Sequence, residues 1–125
     1  MNCRGIRGAV SADRNEREAI LSATRGLLER IVEANQLEID EIAAITFTAT
    51  PDLDAAFPAE AARGLGWSEI PLLCTQEMAV ADGLPRCVRV LVLWNTERAA
   101  EEIAHVYLGE ARALRPDLER KEVPA

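Results

Sequence analysis

The residue that most demands a chemical explanation is Arg89, set in the run "LPRCVRVLVLWN" over residues 84–95. From Cys87 to Trp94 nearly every other side chain is apolar, as in a strand covered on both faces, so the pattern predicts a buried Arg89. A guanidinium among buried neighbours costs several kcal/mol unless an anion and good hydrogen bonds compensate it. Either a carboxylate of this protein or a ligand must meet it. Arg7, between glycines at positions 5 and 8, raises the same question. If the two arginines share a cleft, a small molecule bearing carboxylates is the natural guest, because the planar fork matches a carboxylate bidentately. Arg63 and Arg115 read individually as solvated surface residues.

A second constellation is "CTQE". If Cys74 ends a strand and Glu77 follows the turn, a thiol and a carboxylate come close. Equally, Cys74 fills core space and Glu77 is solvated. Nucleophilic cysteine catalysis needs a base, and His105 is the only imidazole. Cys3, Cys74 and Cys87 make an odd count without CxxC spacing, which argues against a disulfide framework and a zinc site. One histidine is too few for a His-based metal cluster. A metal-free mechanism is expected.

These residues must be positioned by a small set of elements. "NCRGIRGAV" (2–10) reads as a strand with Arg4 and Arg7 on opposite faces, its glycines allowing close approach of backbone or ligand. "SADRNEREAILSATRGLLERIVEANQ" is the clearest helix, with Asp13 as cap, Ile20, Leu27, Leu28 and Ile31 on one stripe, and Asn35 as stop. "IAAITFTATPD" alternates Ile45, Phe47 and Ala49 against Thr46, Thr48 and Thr50, a half-buried strand whose apolar side faces the helix. Pro58 opens a short helix, "PAEAARGLGW". "IPLLCTQEM" and "RCVRVLVLWNT" are further strands. In the last segment alanine and glutamate favour helix while "HVYL" could equally be a strand, and the polar tail beyond Pro116 is expected to be mobile.

At 125 residues, with 49% hydrophobic and 28% charged residues, the chain is expected to be a single soluble domain over 1–125. No apolar run approaches a membrane span and "MNCRGIRG" lacks a signal core, which points to the cytoplasm. A net charge of −7 repels nucleic acid and anionic lipid. Of the 14 basic residues only Lys121 is a lysine, a bias that a GC-rich genome or a hot habitat would explain. The interleaved strands and one long helix predict a small α/β layer. One long helix leaves apolar sheet surface uncovered, and another subunit is the obvious cover, so an obligate homo-oligomer with clefts between chains is expected.

"RGIRGA", "TATPDL" with "AAFPAEAAR", "CTQEM", "CVRVLVLWNT" and "HVYLGEARALRPDL" together resemble the monofunctional chorismate mutases of the trimeric, mixed α/β class, over about residues 4–118. The resemblance implies a five-stranded mixed sheet packed on one long and one short helix. It further implies a homotrimeric pseudo-barrel with active sites between subunits, and a short strand at "HVYL". The implied activity is the Claisen rearrangement of chorismate to prephenate in phenylalanine and tyrosine biosynthesis, without cofactor or metal. Arg89 resembles the arginine aimed at the ether oxygen, Arg7 a carboxylate-binding arginine, and Tyr107 a hydrogen-bonding partner of the substrate's side chain. Glu77 and Cys74 match the pair at the ring hydroxyl. Phe57, Ala59, Leu72 and Leu73 match wall positions. Arg63 matches a cation near the ring carboxylate, and Leu114 and Arg115 belong to a C-terminal segment expected to close over substrate (about 117–125 being tail). The chain departs at Glu60, where relatives carry a lysine; Glu60 is expected to point to solvent or to pair with Arg63. A trimeric imine deaminase-like or small-carboxylate-binding protein of similar fold, and an assembly module whose arginines only bridge subunits, are the competing readings.

Overall fold

Alternation of apolar and polar residues sorts each strand into a helix-facing and an open side, and the chain's architecture follows from that sorting. A computed structural model describes residues 1–114. In chain order the elements are β1 (Asn2–Ser11), α1 (Arg17–Asn35), β2 (Ile42–Ala49), α2 (Ala59–Gly64), β3 (Leu72–Gln76), β4 (Cys87–Thr96) and β5 (Val106–Leu108), with 3₁₀ turns at Ile39–Glu41, Ala100–Glu102 and Gly109–Leu114. The strands form one five-stranded mixed sheet in the order β3-β2-β4-β1-β5. β4 runs antiparallel to both of its neighbours, whereas β3 is parallel to β2 and β5 is parallel to β1. The expected mixed α/β sheet with one long and one short helix is therefore the observed fold, and "HVYL" does contribute a strand.

The core lies between the sheet and α1. Ile20, Leu27, Leu28 and Ile31 of α1 pack on Ile6, Ile45, Phe47, Val88 and Val92, all fully or almost fully buried. Gly8 lets the helix come this close: a Cβ there would sit 2.8 Å from Ile31 Cδ1 and 3.2 Å from Leu27 Cδ1. At the far end of α1, Gln36 adopts a left-handed conformation (φ 51°) and its N–H returns to the Glu33 carbonyl. Asn35, fully buried, does more than end the helix. Its amide donates to the carbonyls of Ile31 (3.0 Å) and Ala104 (2.9 Å), and its Oδ1 accepts from the Ala104 N–H (2.9 Å). This bridges α1 to the segment that enters β5.

The structure corrects the start of the long helix. It begins at Arg17, with Glu16 extended (φ −138°, ψ 148°) and without a side-chain cap. Asp13 caps nothing in α1, because the chain from 13 to 16 is engaged elsewhere: Asn15 Oδ1 accepts from the N–H groups of Asp54 (3.0 Å) and Ala55 (3.1 Å), its Nδ2 donates to Asp54 Oδ1 (2.7 Å), and Arg14 pairs with Glu16 (2.7 Å). Asp54 and Ala55 lie some forty residues from Asn15, where no local pattern could announce them. Pro58 occupies the cap position of α2 rather than its first helical position.

In β4 the open face expected from the sequence is present, and Arg89 on it is half exposed within one chain rather than buried. Val88, Val90, Val92 and Trp94 are buried against the helix side, but Leu91 on the opposite face is 44% exposed and the Arg89 side chain 41% exposed. Within one chain the strand is covered on one face only. The other face is open along much of its length, closed at one end by a small cluster of Ala9, Cys87, Tyr107 and Ala111, against which Leu84 and Leu114 pack.

Candidate active site

Strand register assembles the open face. Residues opposite one another across a ladder share a face, and pairing places Tyr107, Ala9, Arg89, Thr48 and Thr75 in one row across all five strands. The next row contains Arg7, Leu91, Thr46 and Leu73. Arg7, Arg89, Glu77 and Tyr107 then line a single cleft of about 330 Å³ with Gly8, Thr46, Thr48, Val90 and Leu91. Four residues spread over a hundred positions of sequence thus meet because three strands and one loop bring them together.

Arg89 is not neutralised in the ordinary way. Its Nε lies 3.6 Å from Glu77 Oε2, near enough for charge attraction and too far for a hydrogen bond. The same Nε is shielded from solvent and has no hydrogen-bond acceptor among the described residues. A buried donor without a partner is costly, and Arg30 Nε on α1 is the only other such side-chain atom among the described residues. The Glu77 carboxylate has its other oxygen engaged: Thr48 Oγ1 donates to Oε1 at 2.5 Å. Glu77 itself is anchored by its N–H to the Ala49 carbonyl (2.9 Å), which extends the β2–β3 pairing by one residue.

Arg7 and Tyr107 are set by the β1–β5 junction. The Arg7 N–H donates to His105 Nδ1 (2.9 Å), so the histidine side chain continues the pairing beyond the end of the parallel ladder. Tyr107 is buried, while Arg7 is exposed. Cys87 lies next to Arg89, and burial pushes its thiol up to about 11 even though the neighbouring guanidinium pulls the other way. At neutral pH it is a neutral thiol, and with His105 committed to β1 no Cys-His couple forms there.

Cys74 does not join this cleft. It pairs with Phe47 in register and packs toward the core, on the helix side of the sheet, whereas Glu77 reaches the open side. The expected Cys74–Glu77 juxtaposition is therefore absent within one chain, because three residues along extended backbone reverse the face. Cys74 instead lines a second cleft of about 540 Å³ with Thr50, Ala56, Phe57, Glu60 and Gln76. Burial raises its thiol pKa, so it too is no ready nucleophile. Of the remaining expected site residues, Phe57 is 66% exposed beside this second cleft and Leu73 63% exposed on the open face. Arg63 is exposed in the last turn of α2, Leu72 is half-buried and packed on the core, and Ala59 is buried. Leu114 rests on the Tyr107 cluster. Arg115 and the tail lie outside the described residues.

Glu60, its side chain 26% exposed, pairs with Arg17 rather than with Arg63. Arg17 Nη2 meets its Oε1 at 2.7 Å, and the Phe57 N–H approaches Oε2 at 3.4 Å. The hydrogen bond from Arg17 holds the Glu60 carboxyl below its ordinary range, with Arg63 adding a smaller pull. The residues that sequence reasoning missed are Thr46 and Thr48. Their alternation on β2 was visible, but their place opposite Leu91 and Arg89 is a matter of register. Among the described residues no group of histidine, cysteine, aspartate and glutamate is placed to hold a metal ion, and no helix is long and apolar enough to cross a membrane.

Comparison with known proteins covers nearly the whole chain. Residues 3–118 match the family described as chorismate mutase type I. Chorismate mutase AroH of Thermus thermophilus is 52% identical over 117 residues, which is 93% of this chain and 96% of that protein. Chorismate mutase AroH of Bacillus subtilis (strain 168) is 45% identical over 119 residues, 94% of each chain. In three dimensions the chain superposes on a solved chorismate mutase from Clostridium thermocellum with a TM-score of 0.86 and 44% identity, covering 87% of this chain and 97% of that one.

Proposed function

The chain belongs to the chorismate mutase type I family, and we propose that the cleft holding Arg7, Glu77, Arg89 and Tyr107 is where it rearranges chorismate to prephenate. The protein is a chorismate mutase, an isomerase of aromatic amino-acid biosynthesis. The competing readings of a deaminase-like or purely assembling protein have no support of this kind. The observation that carries the site assignment is the buried Arg89 Nε that no acceptor among the described residues satisfies.

The chemistry asks for such a group. In the Claisen rearrangement the ether C–O bond breaks while a C–C bond forms, and electron density builds on the ether oxygen. A fixed cation at that oxygen therefore stabilises the transition state more than the ground state. Arg89 supplies the cation, and its donors are preorganised because Glu77 draws on it without hydrogen-bonding to its Nε. Arg7, exposed at the same cleft, takes a substrate carboxylate in a bidentate pair. Tyr107 donates to the enolpyruvyl side, and Glu77 accepts from the ring hydroxyl. An acceleration of roughly 10⁶-fold needs about 8 kcal/mol. One such electrostatic contact contributes about 3 to 4 kcal/mol, and holding a flexible substrate in its reactive conformer can provide the remainder. No side chain needs to transfer a proton.

The remaining expected contacts come from a neighbouring subunit in this reading. The second cleft, with Phe57 and Cys74, faces away from Arg89 within one chain, yet Phe57, Leu73 and Leu91 leave apolar area in water. A head-to-tail contact that sets the second cleft and Arg63 of one chain against the open face of the next covers that surface and completes the site. Such heterologous contacts form a ring where the rotation between neighbours closes, and a closed trimer, acting in the cytoplasm, is the assembly we assign.

The test uses the full-length protein without added metal or cofactor. Loss of chorismate's diene absorbance is followed with time, binding of a bicyclic dicarboxylate mimic of the transition state by calorimetry, and mass by sedimentation. Turnover, tight binding of the mimic that is abolished in Arg89→Ala, and a mass of three chains are expected. Mimic binding undiminished in Arg89→Ala would remove the site assignment, and a monomeric active enzyme would remove the shared site.

A further inference from the structure

Thr48 belongs to no expected site, yet it occupies the position on β2 directly opposite Arg89 on β4. Its hydroxyl donates to Glu77 Oε1 at 2.5 Å, while Glu77 Oε2 stands 3.6 Å from Arg89 Nε. A glutamate this close to an arginine would ordinarily turn and form two parallel hydrogen bonds to it, the strongest arrangement open to the pair. That would satisfy both groups and leave the guanidinium with little to offer a ligand. The pairing is not formed, and the only hydrogen-bond partner of the Glu77 side chain among the described residues is Thr48.

We infer that Thr48 is a positioning residue which keeps Glu77 from quenching Arg89. The hydroxyl holds one carboxylate oxygen over β2, so the carboxylate supplies field to the arginine without occupying its Nε–H. The backbone reinforces this, since the Glu77 N–H is tied to the Ala49 carbonyl next to Thr48 (2.9 Å), and side chain and main chain are fixed from the same strand. A threonine suits the task on β2, where its β-branch fits the pleat and its Oγ can reach one residue beyond the end of β3. The inference rests on the site reading above, in which Arg89 meets the developing charge.

The experiment compares Thr48→Val, Thr48→Ser and Arg89→Ala, each with kcat, KM, thermal unfolding and the ¹⁵Nε–¹H NMR signal of Arg89, assigned by its absence from Arg89→Ala. In Thr48→Val, kcat is expected to fall about 10- to 100-fold, the range for a charge-assisted hydrogen bond redirected onto the wrong partner. KM should change much less, and the Arg89 Nε–H should move downfield and exchange more slowly as Glu77 closes on it. Thr48→Ser should keep turnover within about threefold, because the donor is retained. Thr48→Ala serves if the valine variant fails to fold, with the same expectation. Wild-type turnover in the valine variant, or a fall in kcat with the Nε–H signal unmoved, overturns the inference while an inactive Arg89→Ala leaves the site reading standing. Should Arg89→Ala itself turn over normally, the site reading fails and this inference with it.

Discussion

Removing the guanidinium of Arg89 separates catalysis from folding more cleanly than any other single change. About half an elementary charge on the ether oxygen, roughly 3 Å from a guanidinium in a medium of effective dielectric constant about 20, interacts by about 3 kcal/mol. That corresponds to about a hundredfold in kcat, and deletion of a single oxyanion donor elsewhere costs about 10²- to 10³-fold. The structural cost of Arg89→Ala should be small. The side chain is 41% exposed, its contact with Glu77 is 3.6 Å long, and its buried Nε has no acceptor among the described residues to lose. Glu77 keeps its hydrogen bond from Thr48. An exposed or half-exposed pair of this kind contributes about 1 kcal/mol or less. Stopped assays of chorismate consumption on the variant, with thermal unfolding and sedimentation on the same sample, should show kcat lower by two to three orders of magnitude, unfolding temperature nearly unchanged, and assembly intact. Near-normal turnover refutes the electrostatic role, and dissociation of the assembly would show that Arg89 is a structural bridge.

Asn35→Ala should destabilise the fold by about 2 to 4 kcal/mol in urea unfolding, since it removes the paired hydrogen bonds to Ala104 and leaves buried backbone groups unsatisfied; KM should rise as well, because the segment released leads into His105 and Tyr107, and an unchanged KM would show that α1 does not brace the site. Cys87 gives a pH signature. Its neutral thiol is favoured in the fold, with the pKa moved from 9.0 to about 11, so this stabilisation is complete below about pH 9 and is lost as pH rises toward and through about 11. The unfolding free energy of wild type relative to Cys87→Ala should accordingly be flat up to pH 9 and decline above it, and iodoacetamide at pH 8 should label exposed Cys3 well before Cys87, as read by peptide mass mapping. A Cys87 that reacts as fast as Cys3 would contradict its burial.

Much of the fold was legible because it rests on local periodicity. The stripe of Ile20, Leu27, Leu28 and Ile31 at helical spacing is the buried face of α1, and the alternation of Ile45 and Phe47 with Thr46 and Thr48 does divide β2 between core and open face. The start of α1 was not legible, because Asn15 is committed to Asp54 and Ala55 across the turn that follows β2. The two-sided apolar run in β4 was legible as two faces that call for cover, the second of them from another subunit, and within one chain that second face is indeed open at Leu91. Glu60 likewise found its cation, Arg17, on another helix rather than one turn away at Arg63.

The candidate site divides along the same line. By itself the amino-acid sequence determined which side chains are available: arginines in apolar settings, a single histidine, thiols without metal spacing, and motifs whose joint resemblance named the family. Only the tertiary structure decided which of them meet. It joined Arg7, Glu77, Arg89 and Tyr107, set Cys74 and Phe57 apart, and brought in Thr48. The physical reason is that strand register and sheet order are long-range quantities. Shifting a strand by one residue turns each of its side chains to the other face, so which groups share a cleft depends on pairings between residues far apart in the chain.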